Sequence, residues 1–227
     1  MKKLLKQISF VVAFASIVLI NTHSHAKLQE VESSAQVSSL PYYASADFTP
    51  HWFSPDSVEL IDFHRVSDFT FIDQDAKHIS QVDMQGKVYV ASFFFTSCPG
   101  ICPRMRSQLS KVQAKFMDDD KVSIISHSIQ PNNDTVKVLR DYADENGVVS
   151  GKWHLVTGDR DSIYRVARND YFANEDLGEY VSDKDFLHTE NLVLVDTKRH
   201  IRGIYNGLNN TSVGHLMEDI KTLRSER

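Results

Sequence analysis

Residues 88–105 read VYVASFFFTSCPGICPRM. The first half, 88–96, is apolar or small almost throughout, without the polar alternation of a strand that has one wet face. Such a run belongs in a strand covered on both sides, as in a parallel or mixed sheet flanked by helices. The second half holds the only two cysteines of the chain, Cys98 and Cys102, each followed by a proline. Proline brings no backbone donor and is tolerated near a helix start, so the stretch reads as strand, then helix. The thiols are expected in the first helical turn. There, positions i and i+4 share a face, and the unpaired N–H groups and positive dipole end favour thiolate over thiol.

Working outward, residues 104–117 carry Met105, Leu109, Val112 and Phe116 at helical spacing among polar residues, an amphipathic helix. Residues 122–129 and 153–158 read as strands. Between them lies a helix over 134–146, capped by Asp134 and ended at Gly147. A helix over 159–168, a hairpin from 191–196 and 200–207, and a closing helix over 212–223 complete the C-terminal part. Upstream, 68–73 and 78–83 form two short strands around a turn. Strands alternating with helices and ending in a hairpin plus helix predict an α/β fold, a thioredoxin-like sandwich with an additional N-terminal β-hairpin, over residues 58–227.

Ahead of that domain, residues 27–57 contain Pro41, Pro50 and Pro55 and no periodicity, which reads as a linker or loosely packed lead-in. The first 26 residues place Lys2, Lys3 and Lys6 before an apolar run over 8–20, and Ser24 and Ala26 suit a peptidase cutting after Ala26. This is a signal peptide, and an uncleaved run 8–20 is its membrane-anchoring alternative. No cysteine follows the run, so lipid attachment is not expected. The chain is therefore read as exported and periplasmic, outside the reducing cytosol, where a free thiol pair oxidises unless a metal or a reductant holds it. Loss of the three lysines carries the formal charge from −5 to −8, which argues against a nucleic-acid partner.

Three chemistries fit the two thiols. A structural disulfide is weak, because so small a loop removes little entropy from the unfolded chain. A redox dithiol is the second, although thioredoxins separate their cysteines by two residues and this chain has three. The third is a soft metal clamp suited to copper, since a structural zinc site usually wants four protein ligands. Copper would need a further donor, and a neutral imidazole is the natural choice. Eight histidines, from His51 to His215, survive cleavage. Spacing does not choose among them, but His188 lies in a polar loop just before the 191–196 strand, where ligands of open α/β folds gather.

FFFTSCPGICPRM resembles the F-x-x-C-P-x-x-C-P signature of the Sco (SenC) proteins, exported copper-binding factors that help to assemble the CuA centre of cytochrome c oxidase. The similarity runs from about Phe69 to the C-terminus. It includes DFTFIDQDAKHIS, the S-x-x-P-x-x-D-T stretch from Ser128 to Thr135, HLVTG, LHTENLVLVD and IRGIYNG. The resemblance implies that Cys98 and Cys102 are the copper thiolates and His188 the imidazole ligand, holding Cu(I) or Cu(II). It also implies that the two cysteines form a disulfide when the metal is absent. It implies a copper-delivery chaperone whose partners are an oxidase subunit or another cuproprotein and a thiol reductant. The alternatives are a thiol:disulfide oxidoreductase that keeps an oxidase subunit's cysteines reduced, and a redox or copper sensor. Two residues depart from the family pattern. Gly100 stands where an acidic residue is common, and Gln130 where an aspartate usually precedes Pro131.

Overall fold

The computed structural model describes residues 40–173 and 189–226, all within one unit, Val37–Arg227. The apolar run at 8–20 and His188 lie outside the described residues. The strand expected from 88–96 is β3 (Val88–Phe94), and every residue in it is buried. It runs parallel to β4 (Val122–Ser128), with Phe93 opposite His127 and Phe94 opposite Ser128. On its other side it pairs antiparallel with β6 (Asn191–Val195). A strand with neighbours on both edges and helices on both faces has no wet side to signal, hence its unbroken apolar sequence.

The remaining strands are β1 (Thr70–Asp73), β2 (His78–Ser80), β5 (Trp153–Thr157) and β7 (Ile201–Asn206). They complete a seven-stranded sheet in the order β2-β1-β5-β4-β3-β6-β7. β3, β4 and β5 are parallel, and β6 and β7 form the antiparallel hairpin. That is the thioredoxin-like arrangement, and β1 with β2 is the additional hairpin, joined antiparallel to β5.

Alternate residues of the central strands feed two cores. Val88, Val90 and Ile124 meet α1 (Cys102–Lys115), α2 (Val136–Asn146) and α4 (Asn210–Ser225) through Leu109, Val112, Leu139, Leu216 and Ile220. Tyr89, Ala91, Phe93 and Ile125 meet the opposite layer, where α3 (Arg160–Arg165) runs into a π-helical turn, Val166–Asp170. Gly147 ends α2 in the left-handed conformation, φ 69°, as the sequence predicts. The start of α2 is different: Thr135 caps it, accepting from the Val138 N–H, and Asp134 does not.

From Leu40 the lead-in lies against this body. Tyr42 exchanges backbone hydrogen bonds with His51, and the Tyr43 N–H donates to Ile201 O. The buried Arg202 guanidinium donates to the carbonyls of Leu40 and Pro41 and to Asp196 and Glu226, and lies 4.0 Å over the Tyr42 ring. Ile201 is level with the first residues of β3, so this fastening is at the end of the sheet opposite the cysteines. Among the described residues, no helix is long and apolar enough to cross a membrane.

Candidate functional site

Both cysteines sit where β3 gives way to α1, but not as two residues of one helical turn. Cys102 is the first residue of α1, with Pro103 next, whereas Cys98 lies in the turn before it. The shared helical face expected of an i, i+4 pair is therefore replaced by a turn that folds the first sulfur back over the helix start. The backbone N–H groups of Cys102, Gly100 and Ile101 and the Cys102 thiol favour the charged form of the Cys98 sulfur. Ile101, at the N-cap, contributes no side-chain cap.

The two sulfurs are reduced and buried, at 9% exposure for Cys98 and 3% for Cys102. Their acidities diverge. Burial pushes the Cys98 thiol up, but the three N–H donors and the Cys102 thiol outweigh it, and its pKa is lowered from that of an ordinary thiol. Burial pushes Cys102 up to about 12; the Phe95 N–H opposes this, while the neighbouring Cys98 sulfur and the Asp134 carboxylate add to it. Cys98 is thus the more acidic sulfur of the pair, and Cys102 the less acidic.

The loop is held from behind by Asp134. This buried carboxylate accepts from the Thr96 N–H at 3.2 Å and from the hydroxyls of Thr96 and Ser128, joining the loop before Cys98 to the end of β4 and the approach to α2. The sequence pointed to Asp134 as a helix cap. Its place beside Thr and Ser partners remote along the chain carried no local signal. Arg106, one turn along α1 from Cys102, lies 5.9 Å over the Tyr142 ring, and both line a small cavity that also reaches Cys102.

Of the remaining histidines, His127 is fully buried on β4, its Nδ1 3.4 Å from Ser92 O and its Nε2 without a partner among the described residues. Phe69, Phe71, Phe93 and Tyr171 surround the ring, and burial lowers its pKa to about 4. His154 pairs with buried Asp73 at 3.0 Å, and His200 bonds to His64 O at 2.9 Å. Among the described residues, no three His, Cys, Asp or Glu side chains cluster as a metal site. The two sulfurs come together; the third expected donor, His188, lies outside the described residues.

The family model described as SCO1/SenC matches residues 61–225. The SCO1 protein homolog of Bacillus subtilis is 30% identical over 164 residues, which is 70% of this chain and 82% of that protein. Among solved structures, BsSco, described as a member of the Sco family of cytochrome c oxidase assembly proteins with a disulfide switch, matches with a TM-score of 0.61. It is 29% identical, and the match covers 72% of this chain and 95% of that one. ScoI of Arabidopsis thaliana, solved with copper bound, gives a TM-score of 0.54 at 25% identity, over 70% of this chain and 98% of that one.

Proposed function

The chain belongs to the SCO1/SenC family, and from that premise we propose that it is an exported copper-delivery protein in which Cys98, Cys102 and His188 hold the ion. The observation that carries this reading is the placing of two free, buried thiols together where β3 gives way to α1, with the pKa of Cys98 lowered by the backbone N–H groups around it. Two thiolates and a neutral imidazole leave one net negative charge on a Cu(I) site and none on a Cu(II) site. Soft sulfur donors suit the reduced ion, and imidazole serves both states. Release to a client proceeds by ligand exchange: an incoming thiolate displaces one protein sulfur at a time. The emptied pair can then close as a disulfide once an oxidant takes its two electrons, so redox state gates reloading. The client in this reading is an oxidase subunit receiving its CuA copper or another cuproprotein. It acts in the periplasm, with residues 8–20 as signal or anchor.

A second reading draws on the divergence of the two acidities. A more acidic Cys98 beside a less acidic Cys102 also suits a thiol:disulfide oxidoreductase, in which Cys98 attacks a substrate disulfide, expelling one of its sulfurs as thiolate and forming a mixed disulfide, and Cys102, losing its proton, then attacks the Cys98 sulfur, releasing the second substrate thiolate and closing the Cys98–Cys102 disulfide. The readings separate at His188. We expect His188→Ala to lose copper while keeping thiol exchange if delivery is the function. A variant that retains copper in full, or a wild type that never binds it, sinks the delivery reading.

A further inference from the structure

We propose that the outer face of α1 is a basic docking surface, and that the protein exchanging ligands with Cys98 and Cys102 carries carboxylates beside its own thiols. This rests on the delivery reading above and deepens it by giving the partner's chemistry. α1 holds Arg104, Arg106, Lys111 and Lys115 and not one acidic residue. Arg104, Lys111 and Lys115 stand at i, i+7 and i+11, on one side of the helix, and all three are exposed. Arg104, two residues past Cys102, forms no ion pair among the described residues. Lys111 Nζ donates to Gln108 Oε1 at 3.0 Å and to Asn210 Oδ1 at 2.9 Å, both neutral groups. Lys115 meets a carboxylate, Glu218 at 3.9 Å, toward the end of α1 remote from the thiols.

This placing of charge works against the stability of the helix. A helix N-terminus is the positive end of the dipole and favours acidic side chains, a rule that α3, in the opposite layer, follows with Asp161. α1, α2 and α4 all start at the thiol end of the sheet, since β4 and β7 run in the direction of β3. None of the three has an acidic residue in its first turn. α1 has Arg104 there instead, and α2 has Lys137, bridged to Asp141 one turn on. The exposed Ser97, Pro99 and Gly100 of the thiol loop bring no charge. Asp134 is buried and taken by Thr96 and Ser128, and Glu190, ahead of β6, accepts from Asn206 at 3.4 Å. Positive charge therefore gathers beside the thiols of a chain whose formal charge is −5. Complementary fields speed encounter and fix orientation more than they add affinity, which is what a ligand exchange between two sets of sulfurs requires. The rest of an acidic chain repels an acidic partner, so this face also selects the direction of approach.

The test uses the reduced full-length chain without metal and synthetic disulfide peptides, in which a Cys-x-x-x-Cys pair is flanked by glutamates, by glutamines or by lysines. As the peptide disulfide opens to two thiols, Cys98 and Cys102 close as a disulfide, so no other redox partner is needed. Each rate is divided by that of the same peptide with dithiothreitol, an uncharged thiol, which removes the peptide's own reactivity. At low ionic strength the glutamate peptide is expected to react at least about tenfold faster than the glutamine peptide, with the lysine peptide slowest, and added salt should erase the order. Arg104→Gln combined with Lys111→Gln should bring the glutamate-to-glutamine ratio close to unity; a ratio within one variant is indifferent to any change in Cys98 itself. A wild type without the preference, or a double variant that keeps it in full, overturns the proposal. So does binding to phosphatidylglycerol vesicles that the double variant loses, without any preference among the peptides, since that assigns the face to a lipid surface. None of these outcomes depends on copper; failure of the delivery reading shows separately, as a chain that takes up no metal.

Discussion

Cys98 and His127 belong to neighbouring strands of the same sheet, one just past the end of β3 and the other near the end of β4, and both have lowered pKa values. The consequences are opposite. For a thiol, a lowered pKa favours the charged form; for an imidazole it favours the neutral one. Burial works against the charged form at both positions. At Cys98 the backbone N–H groups of Gly100, Ile101 and Cys102 outweigh it, whereas at His127 four aromatic rings surround the imidazole and, among the described residues, only the Ser92 carbonyl bonds to it. Reactivity here comes from the dipoles supplied around a buried group, not from burial itself.

That contrast is broken or sharpened by substitution. The largest effect is expected at the thiols: Cys98→Ala or Cys102→Ala should abolish stoichiometric copper retention, measured as metal content after gel filtration, while His127→Phe keeps it. Copper retained by either alanine variant would remove the distinction between the two regions. Next comes Asp134→Ala, which strands the Thr96 N–H and two hydroxyls inside the protein. A stability loss on the order of 4 kcal/mol in urea unfolding is expected, since hydrogen bonds to a charged group are among the costlier ones to leave unmade.

His127 sets the third expectation, a pH dependence. Its folded pKa, about 4, lies below the ordinary value of 6.5, so between those values the unfolded chain holds a proton that the folded one refuses. Stability is full above about pH 6.5, falls as pH drops toward 4 and changes little further from this group below that, a loss of about 3 kcal/mol. His127→Phe should flatten that part of the curve; an unaltered slope would mean that the imidazole is not held neutral. The smallest effect is expected of Gly100→Asp. Gly100 lies outside the left-handed region and a Cβ there meets only the Cys98 sulfur, at 4.0 Å, so stability should move by no more than about 0.5 kcal/mol. The added charge should nonetheless slow alkylation of Cys98 at neutral pH, and an unchanged rate would show that its reactivity does not answer to nearby charge.

The sheet was legible because β3 and β4 advertise burial in their composition and because turns and helical spacing separate the other elements. The strand–turn–helix setting of the thiols was legible for the same reason. What local pattern could not give was the role of single polar residues. Asp134 looked like a cap because it precedes a helix, but Thr135, one residue on, took that task, and the carboxylate went to Thr96, 38 residues away in sequence. α1 begins at Cys102, before the first residue of the expected helix, because Pro103 suits a first turn. Cys98 fell outside the helix, yet its sulfur still reached the helix N–H groups through the turn. His127 could not be told from seven other histidines, since the rings that silence it come from β1, β3 and the segment after α3. His188 was placed by resemblance and loop position alone.

The most direct test of copper delivery is a paired measurement on the reduced full-length chain: metal content and thiol titration after separate exposure to Cu(I) and Cu(II). The account predicts one copper per chain with both thiols shielded from the titrant. A chain that emerges without copper from both exposures, its two thiols still titratable or already joined as a disulfide, contradicts it.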